Sequence, residues 1–144
     1  MPSVRRSVII NRPIDEVFTF FTTHSNDVKW RPHVKEISAS RTPAVGERIH
    51  QVVPGPGGRG IPADLEVTAF ERPTHYAFQV VAGPVRPRGD FVFTTTGDGA
   101  TEVALSLSAD LGGLKKLLMG GSVQKAMEGE VAGLDTAKRL LEGS

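Results

Sequence analysis

Hydrophobic and polar residues alternate along much of the chain, and this alternation predicts a protein built mainly from short strands. The first strand-like segment is Ser3–Ile10. A helical pattern then begins at Asn11, which suits an N-cap, with Pro13 in the first turn. A second short helix is expected over residues 26–30 and ends before Pro32, because a proline disfavours helical backbone at the residue that precedes it.

Six more strand-like segments follow these helices. They occupy residues 34–41, 48–53, 61–71, 75–82, 89–96 and 101–109. In the last of them, alternate residues from Val103 to Ala109 are apolar, and the residues between them are mostly polar or small. This alternation is typical of an antiparallel sheet with one covered face and one wet face. The tail, residues 121–141, carries an apolar stripe at helical spacing, so the predicted order is β-αα-β6-α.

The connections between the predicted strands fall into two kinds. Residues 42–47, 72–74 and 97–99 are compact, whereas residues 54–60, 83–88 and 111–121 are longer or rich in proline and glycine. Successive turns of an antiparallel meander lie at opposite ends of the sheet, so the irregular connections are expected together at one end. Binding sites commonly lie on such loops. This end is also basic, with Arg31, His33, Arg59, Arg86, Arg88, Lys115 and Lys116 in or beside it.

Chain length, net charge and the absence of cysteine exclude several classes of protein. The chain has 144 residues and a net charge of +1, which suits one domain over residues 1–144. Neither a nucleic-acid partner nor stable membrane insertion is expected, because there is no strong net charge and no run of ~20 apolar residues. The absence of cysteine excludes disulfides and thiolate metal sites. The apolar run after Arg5 and Arg6 is too short for a signal peptide, so a cytoplasmic location is expected.

Three blocks of sequence resemble the START-like superfamily, which includes polyketide cyclases, dehydrases and lipid-transport proteins. The blocks are the first strand with residues 11–18 (NRPIDEVF), residues 65–78 (LEVTAFERPTHYAF), and residues 89–93 (GDFVF) with 97–103 (GDGATEV). With the terminal helix, the resemblance covers nearly the whole chain. It implies an α+β helix-grip fold, in which a curved antiparallel sheet of about seven strands wraps around a long C-terminal helix and leaves an internal cavity.

The candidate site residues follow from this cavity and from the loop end. Two aromatic pairs alternate on strands that should be adjacent, so they can line one apolar surface. The candidate ligand-binding residues are Trp30, His33, Tyr76, Phe78, Arg86, Arg88, Phe91, Phe93 and Met127. His33 and Tyr76 are also the candidates for moving a proton, although no diagnostic catalytic motif is present. The four histidines lack the helical spacing of a metal motif, so neither a metal nor another cofactor is predicted.

Three functions are compatible with these features. The leading hypothesis is binding of a small hydrophobic or amphipathic molecule between the sheet and the C-terminal helix. A polyketide cyclase or dehydratase acting on a poly-ketone in the same cavity is the alternative, and a protein-interaction module with an unknown protein partner is a third. Because Arg86 and Arg88 are expected at the cavity mouth, an anionic amphiphile is predicted to bind better than its uncharged analogue.

Overall fold

The computed structural model of the protein describes residues 3–31, 34, 36–38, 44–54, 59–83, 85–111 and 113–143. Its strands are β1 (Ser3–Ile10), β2 (Glu36–Ser38), β3 (Arg48–Pro54), β4 (Gly60–Pro62), β5 (Leu65–Glu71), β6 (His75–Val80), β7 (Arg88–Thr96) and β8 (Ala100–Ser108). Its helices are α1 (Ile14–Thr22), α2 (Asp27–Trp30) and α3 (Gly113–Glu142), and a short 3-10 helix, His24–Asn26, precedes α2.

The strands form one antiparallel sheet in the order β1-β8-β7-β6-β5-β3-β2, with β4 paired to β3. The sheet curls into a half-barrel with the C-terminal helix against it, which confirms the predicted α+β helix-grip class. The expected adjacency of the two aromatic strands is also confirmed, because Tyr76 of β6 is paired in register with Phe91 of β7.

One predicted strand is two strands in the structure. The segment predicted over residues 61–71 is divided into β4 and β5, because the pairing of β4 with β3 ends at Pro62. Proline has no N–H to donate to a strand ladder, so the ladder is interrupted here, although the N–H of Ala63 still donates to the carbonyl of Gln51 on β3. The chain then resumes strand pairing at Leu65, on the other part of β3.

The C-terminal helix is longer than predicted. It begins at Gly113, so most of the segment 111–121, which was expected to be a loop, is helical. The glycine pair at 120 and 121 lowers the intrinsic helix propensity of this segment, but helices in proteins are supported by tertiary packing. The predicted apolar stripe is confirmed, since its members are all buried: Val123, Met127, Val131, Leu134 and Leu141.

Hydrogen bonds and an ion pair connect α3 to β1. The Arg6 guanidinium and the Asp135 carboxylate lie 2.6 Å apart, and the Gln124 amide exchanges hydrogen bonds with the backbone of Ser3. Near the end of the helix, the Glu142 carboxylate accepts from Lys138 and from the backbone N–H of Asn11. These bonds lower the pKa of Glu142, with the Lys138 hydrogen bond as the largest cause. The helix is therefore held at both ends of β1.

The core is an aromatic cluster between α1 and the sheet. Phe18 packs edge-on against Phe70 and Phe93, with ring centroids 5.3 and 5.1 Å away. Phe21 packs in turn against Phe91 and Phe93. Phe21 and Phe91 of this cluster also line the cavity described below, so core and cavity adjoin. In the described part of the chain, no helix is both long and apolar enough to span a membrane.

Candidate functional site

A cavity of about 480 Å³ lies between the sheet and α3. Its wall on the sheet side is apolar and comes from neighbouring strands, with Tyr76 and Phe78 on β6, Phe91 on β7 and Leu105 on β8. Val123 and Met127 of α3 contribute to the wall as well. A volume of this size falls in the range of pockets that enclose drug-sized organic molecules.

Irregular connections contribute further lining residues. Pro54 and Ile61 border the loop between β3 and β4, and Gly83, Val85 and Pro87 belong to the connection between β6 and β7. Both connections were assigned to the same end of the sheet from the sequence. Their contribution to the cavity wall is apolar, in contrast to the basic rim that the sequence suggested there.

One wall of the cavity is polar and is organised around Arg31, which directly follows α2. The Arg31 guanidinium donates from Nε and Nη2 to the two carboxylate oxygens of Glu130 on α3, at 2.9 and 3.3 Å. Its Nη1 donates to Asp27 at 3.1 Å and to Gln51 of β3 at 2.8 Å. The Arg31 side chain is only 13% exposed, so these are buried, charge-assisted bonds. They join α2, β3 and α3 across the cavity wall.

Two carboxylates surround this single guanidinium. Burial by itself lowers the pKa of Arg31, but the adjacent carboxylates of Glu130 and Asp27 outweigh it, so the net pKa is raised and the group is charged. Among the described lining residues, Arg31, Asp27 and Glu130 are the charged ones, beside the histidine His24. By formal charge, Arg31, Asp27 and Glu130 together carry one excess negative charge.

A buried pair of His24 and Tyr76 adjoins the polar wall. The Tyr76 hydroxyl lies 3.2 Å from His24 Nε2, and His24 Nδ1 lies 3.6 Å from Asp27 Oδ2. The three side chains form a chain of titratable groups along the cavity. Burial raises the pKa of the Tyr76 phenol, and the nearby Asp27 carboxylate raises it further, so Tyr76 is a neutral hydroxyl in the folded protein.

We expect the Tyr76 phenol to resist ionisation until the protein unfolds in alkali. Its raised pKa means that the folded state holds this proton more tightly than the unfolded state, whose phenol titrates near the ordinary value of 10.0. The stabilisation is therefore complete below that pH and is lost as the pH rises above it. Tyr76 is the only tyrosine, so phenolate absorbance reports on it alone. Absorbance that appears together with loss of the circular dichroism signal fits this expectation, and ionisation within the intact fold contradicts it.

Three buried polar atoms on this wall have no hydrogen-bond partner among the described residues. They are Nδ1 of His24, Oδ1 of Asp27 and Nε1 of Trp30. His24, Asp27 and Trp30 are three residues apart in the chain, and all three line the cavity. Leaving such groups buried and unsatisfied costs about 1–3 kcal/mol each. Unmet hydrogen-bonding capacity therefore lies beside the cavity, in residues of one wall.

Gly89 packs closely against the Phe78 ring, which belongs to the apolar wall of the cavity. A Cβ atom at residue 89 would lie 2.3 Å from Phe78 Cζ, so no other residue fits without moving the ring. We expect Gly89→Ala to displace Phe78 and to destabilise the fold by about 1–3 kcal/mol. Gly121→Ala on α3 is the matched control, because nothing lies within 4 Å of its added Cβ. Thermal unfolding compares them, and an unchanged stability of Gly89→Ala would disprove the close packing.

The structure brings together five of the sequence-predicted site residues. Trp30, Tyr76, Phe78, Phe91 and Met127 all line the cavity. Phe93 is buried in the aromatic core behind Phe91 and is not among the described lining residues. His33 lies outside the described residues.

The sequence predicted two arginines at the cavity mouth. Arg86 and Arg88 are exposed, and neither is among the described lining residues. Arg88 occupies the face of β7 opposite to Gly89 and Phe91, and its Nε donates to Ser108 on the neighbouring strand. Arg86 donates to the carbonyl of Gly83 in its own loop. Strand alternation turns Arg88 away from the face that lines the cavity, whereas Arg86 lies between the lining residues Val85 and Pro87, and a role of either arginine in ligand binding stays a prediction.

Sequence reasoning missed most of the polar wall. Asp27, Gln51 and Glu130 were not singled out, His24 was considered only as a metal ligand, and Arg31 was placed on an exposed rim. A weak local signal was present, because Asp27 and Arg31 have the i, i+4 spacing of a helical ion pair. The contacts with Gln51 and Glu130 join distant parts of the chain and leave no local pattern.

Comparisons with known proteins agree with this architecture. Residues 1–142 match the family described as polyketide cyclase / dehydrase and lipid transport. No curated protein matches the sequence at a significant level.

Solved structures with the same fold were found as well. TTHA0849 from Thermus thermophilus is 22% identical, with a TM-score of 0.77 over 99% of this chain and 100% of the other. A START superfamily protein from Mycobacterium smegmatis is 12% identical, with a TM-score of 0.76 over 98% and 97% of the two chains. The di-domain ARO/CYC protein StfQ of the steffimycin biosynthetic pathway is 12% identical, with a TM-score of 0.75 over 99% of this chain and 51% of StfQ. At these identities the likeness shows the fold.

Proposed function

The chain belongs to the polyketide cyclase / dehydrase and lipid transport family, and we propose that it binds a small, largely apolar molecule in the cavity between its sheet and α3. The observation that carries the proposal is the combination of a mainly apolar cavity of about 480 Å³ with charged side chains that are grouped around Arg31 on one wall. The apolar residues of β6, β7, β8 and α3 provide contact area. The polar wall around Arg31 orients the ligand.

The apolar lining supplies enough free energy for useful affinity. Removing about 200 Å² of apolar ligand surface from water contributes roughly 5 kcal/mol at about 25 cal/mol per Å². Immobilising the ligand offsets part of this gain. A preformed wall reduces that cost, and here the aromatic residues are held in place by the packing of Tyr76 on Phe91 and of Phe91 on Phe93.

The sole tryptophan, Trp30, gives a direct test of ligand binding because it lines the cavity. We expect its emission to change saturably when long-chain alkanols are titrated into the protein. Ala63 is a buried lining residue, so Ala63→Phe should fill part of the cavity and weaken binding at least tenfold. The control is Ala132→Phe, at an exposed position of α3. Equal affinities of the two variants would refute binding in this cavity.

Cyclisation of a poly-ketone is the second candidate function, and the Tyr76–His24 pair favours it. In such a reaction His24 takes a proton from a carbon next to a carbonyl group. The resulting enolate forms a carbon–carbon bond to a second carbonyl carbon, whose oxygen becomes an alkoxide. Tyr76 gives its proton to that alkoxide and recovers one from His24 through their hydrogen bond, so the enzyme is unchanged at the end.

Kinetics distinguish this candidate from simple binding. If the protein is a cyclase, incubation with a synthetic triketone yields the aldol product faster than buffer does, and Tyr76→Phe or His24→Gln slows it by about 100-fold or more. If the protein is only a carrier, the triketone is recovered unchanged and both variants still bind alkanols. Stability measurements on the two variants establish that each remains folded.

A further inference from the structure

The polar wall also determines which head group the ligand carries, and this inference rests on the proposed binding function. We propose that the cavity selects an apolar molecule with a neutral hydroxyl group, an alcohol or a phenol, over the corresponding carboxylate and over the corresponding ether. The inference departs from the anionic ligand that the sequence suggested. It follows from the hydrogen-bonding capacity and the charge of the described residues on that wall.

The one guanidinium on this wall is already engaged by protein carboxylates. Arg31 makes four hydrogen bonds, two to Glu130 and one each to Asp27 and Gln51. An anionic head group would have to compete with two carboxylates that are fixed in place for this one cation. It would also add a negative charge to a wall whose described residues already carry an excess of one. Like charges at close range in a poorly solvated site repel strongly.

The unsatisfied atoms call for a group that can both donate and accept. Asp27 Oδ1 is a buried acceptor without a partner among the described residues, and a ligand donor that reaches it would satisfy it. Trp30 Nε1–H is a buried donor without a partner among the described residues, and a ligand acceptor that reaches it would satisfy it. A hydroxyl group can do both, because its O–H donates a hydrogen bond and its oxygen accepts one. An ether or a ketone lacks the donor, and a carboxylate lacks it too.

The polar wall disfavours ligands without a hydrogen-bond donor, in addition to favouring ligands that have one. A ligand that fills the apolar part of the cavity but brings no donor leaves Asp27 Oδ1 buried and unpaired. Sites that are built to bind a substrate hydroxyl reject the analogue without it for this reason. The apolar walls, in contrast, cannot distinguish among ligands with the same alkyl body, so the preference must come from the head group.

A matched series of ligands with one alkyl body tests the inference. We would titrate 1-dodecanol, dodecyl methyl ether and dodecanoate at about pH 8 and follow Trp30 emission. The expected result is that the alcohol binds at least tenfold more tightly than either the ether or the carboxylate. If the carboxylate binds as tightly as the alcohol, the inference is wrong while the proposed function survives. If none of the three binds, the proposed function itself fails.

A variant at Asp27 separates the charge effect from the shape of the cavity. Asp27→Asn keeps the size of the side chain and removes one negative charge, so the advantage of the alcohol over dodecanoate should shrink at least threefold. Asp64→Asn is the matched control, because Asp64 pairs with Arg48 and His50 and is not among the described lining residues. The same ratio in the wild type and in Asp27→Asn would overturn the role of Asp27. A thermal melt of each variant verifies that the fold is retained.

Discussion

Replacing Arg31 with methionine is expected to destabilise the fold by about 3–5 kcal/mol, the cost of removing one partner from a buried ion pair. Methionine matches the length of the arginine stem, so the loss comes from the charge and the hydrogen bonds. Without the guanidinium, the carboxylates of Asp27 and Glu130 remain on the cavity wall with no cation beside them among the described lining residues. Denaturant unfolding followed by circular dichroism gives the free energy directly.

Two further variants test whether the loss comes from the buried charges around Arg31. Arg48→Met removes an exposed ion pair with Asp64, and it should cost less than about 1 kcal/mol because solvent screens such pairs. Combining Arg31→Met with Asp27→Leu and Glu130→Leu should recover a large part of the lost stability, since no uncompensated charge then remains. A loss at Arg31 no greater than the loss at Arg48 would show that the polar wall does not hold α2, β3 and α3 together.

The second large effect is expected from Phe18→Ala, which should lower the free energy of unfolding by about 3–5 kcal/mol. The Phe18 side chain is fully buried and contacts the rings of Phe70 and Phe93. The guanidinium of Arg72 also lies 4.9 Å from the centre of the Phe18 ring. Removing the ring therefore leaves a void in the aromatic core. Denaturant unfolding at equilibrium provides the measurement.

Phe78→Ala is the informative comparison, because Phe78 lies on the cavity wall and is only partly buried. Its truncation should cost less stability than Phe18→Ala and should change alkanol affinity, whereas Phe18→Ala should leave affinity nearly unchanged below its melting temperature. The opposite pattern would mean that the boundary between core and cavity is misplaced. The two phenylalanines thus distinguish residues that hold the fold from residues that contact a ligand.

Local patterns were enough to predict the sheet and the aromatic surface. Alternation identifies which residues of a strand share a face, and hairpin connections between β5, β6, β7 and β8 make neighbours in sequence neighbours in space. Tyr76 opposite Phe91 could therefore be predicted from the sequence. The same rule places Arg88 on the face opposite to Phe91, away from the aromatic surface.

The polar wall could not be predicted in the same way. Arg31 and Glu130 are 99 residues apart, and their contact depends on how α3 lies across the curled sheet. Gln51 reaches the same guanidinium from β3. Such contacts are set by tertiary packing and carry no periodicity. For the same reason, the residues of the polar wall were harder to identify from the sequence than the residues that form the sheet and the apolar wall of the cavity.

The most direct test of the central claim is a crystal structure of the protein with 11-bromo-1-undecanol, located by the anomalous signal of bromine. The account predicts one bromine site among the apolar residues of the cavity, near Val123, Met127 and Leu107, with the hydroxyl at the wall formed by Asp27 and Trp30. A bromine signal found only on the outer surface of the protein would contradict ligand binding between the sheet and α3.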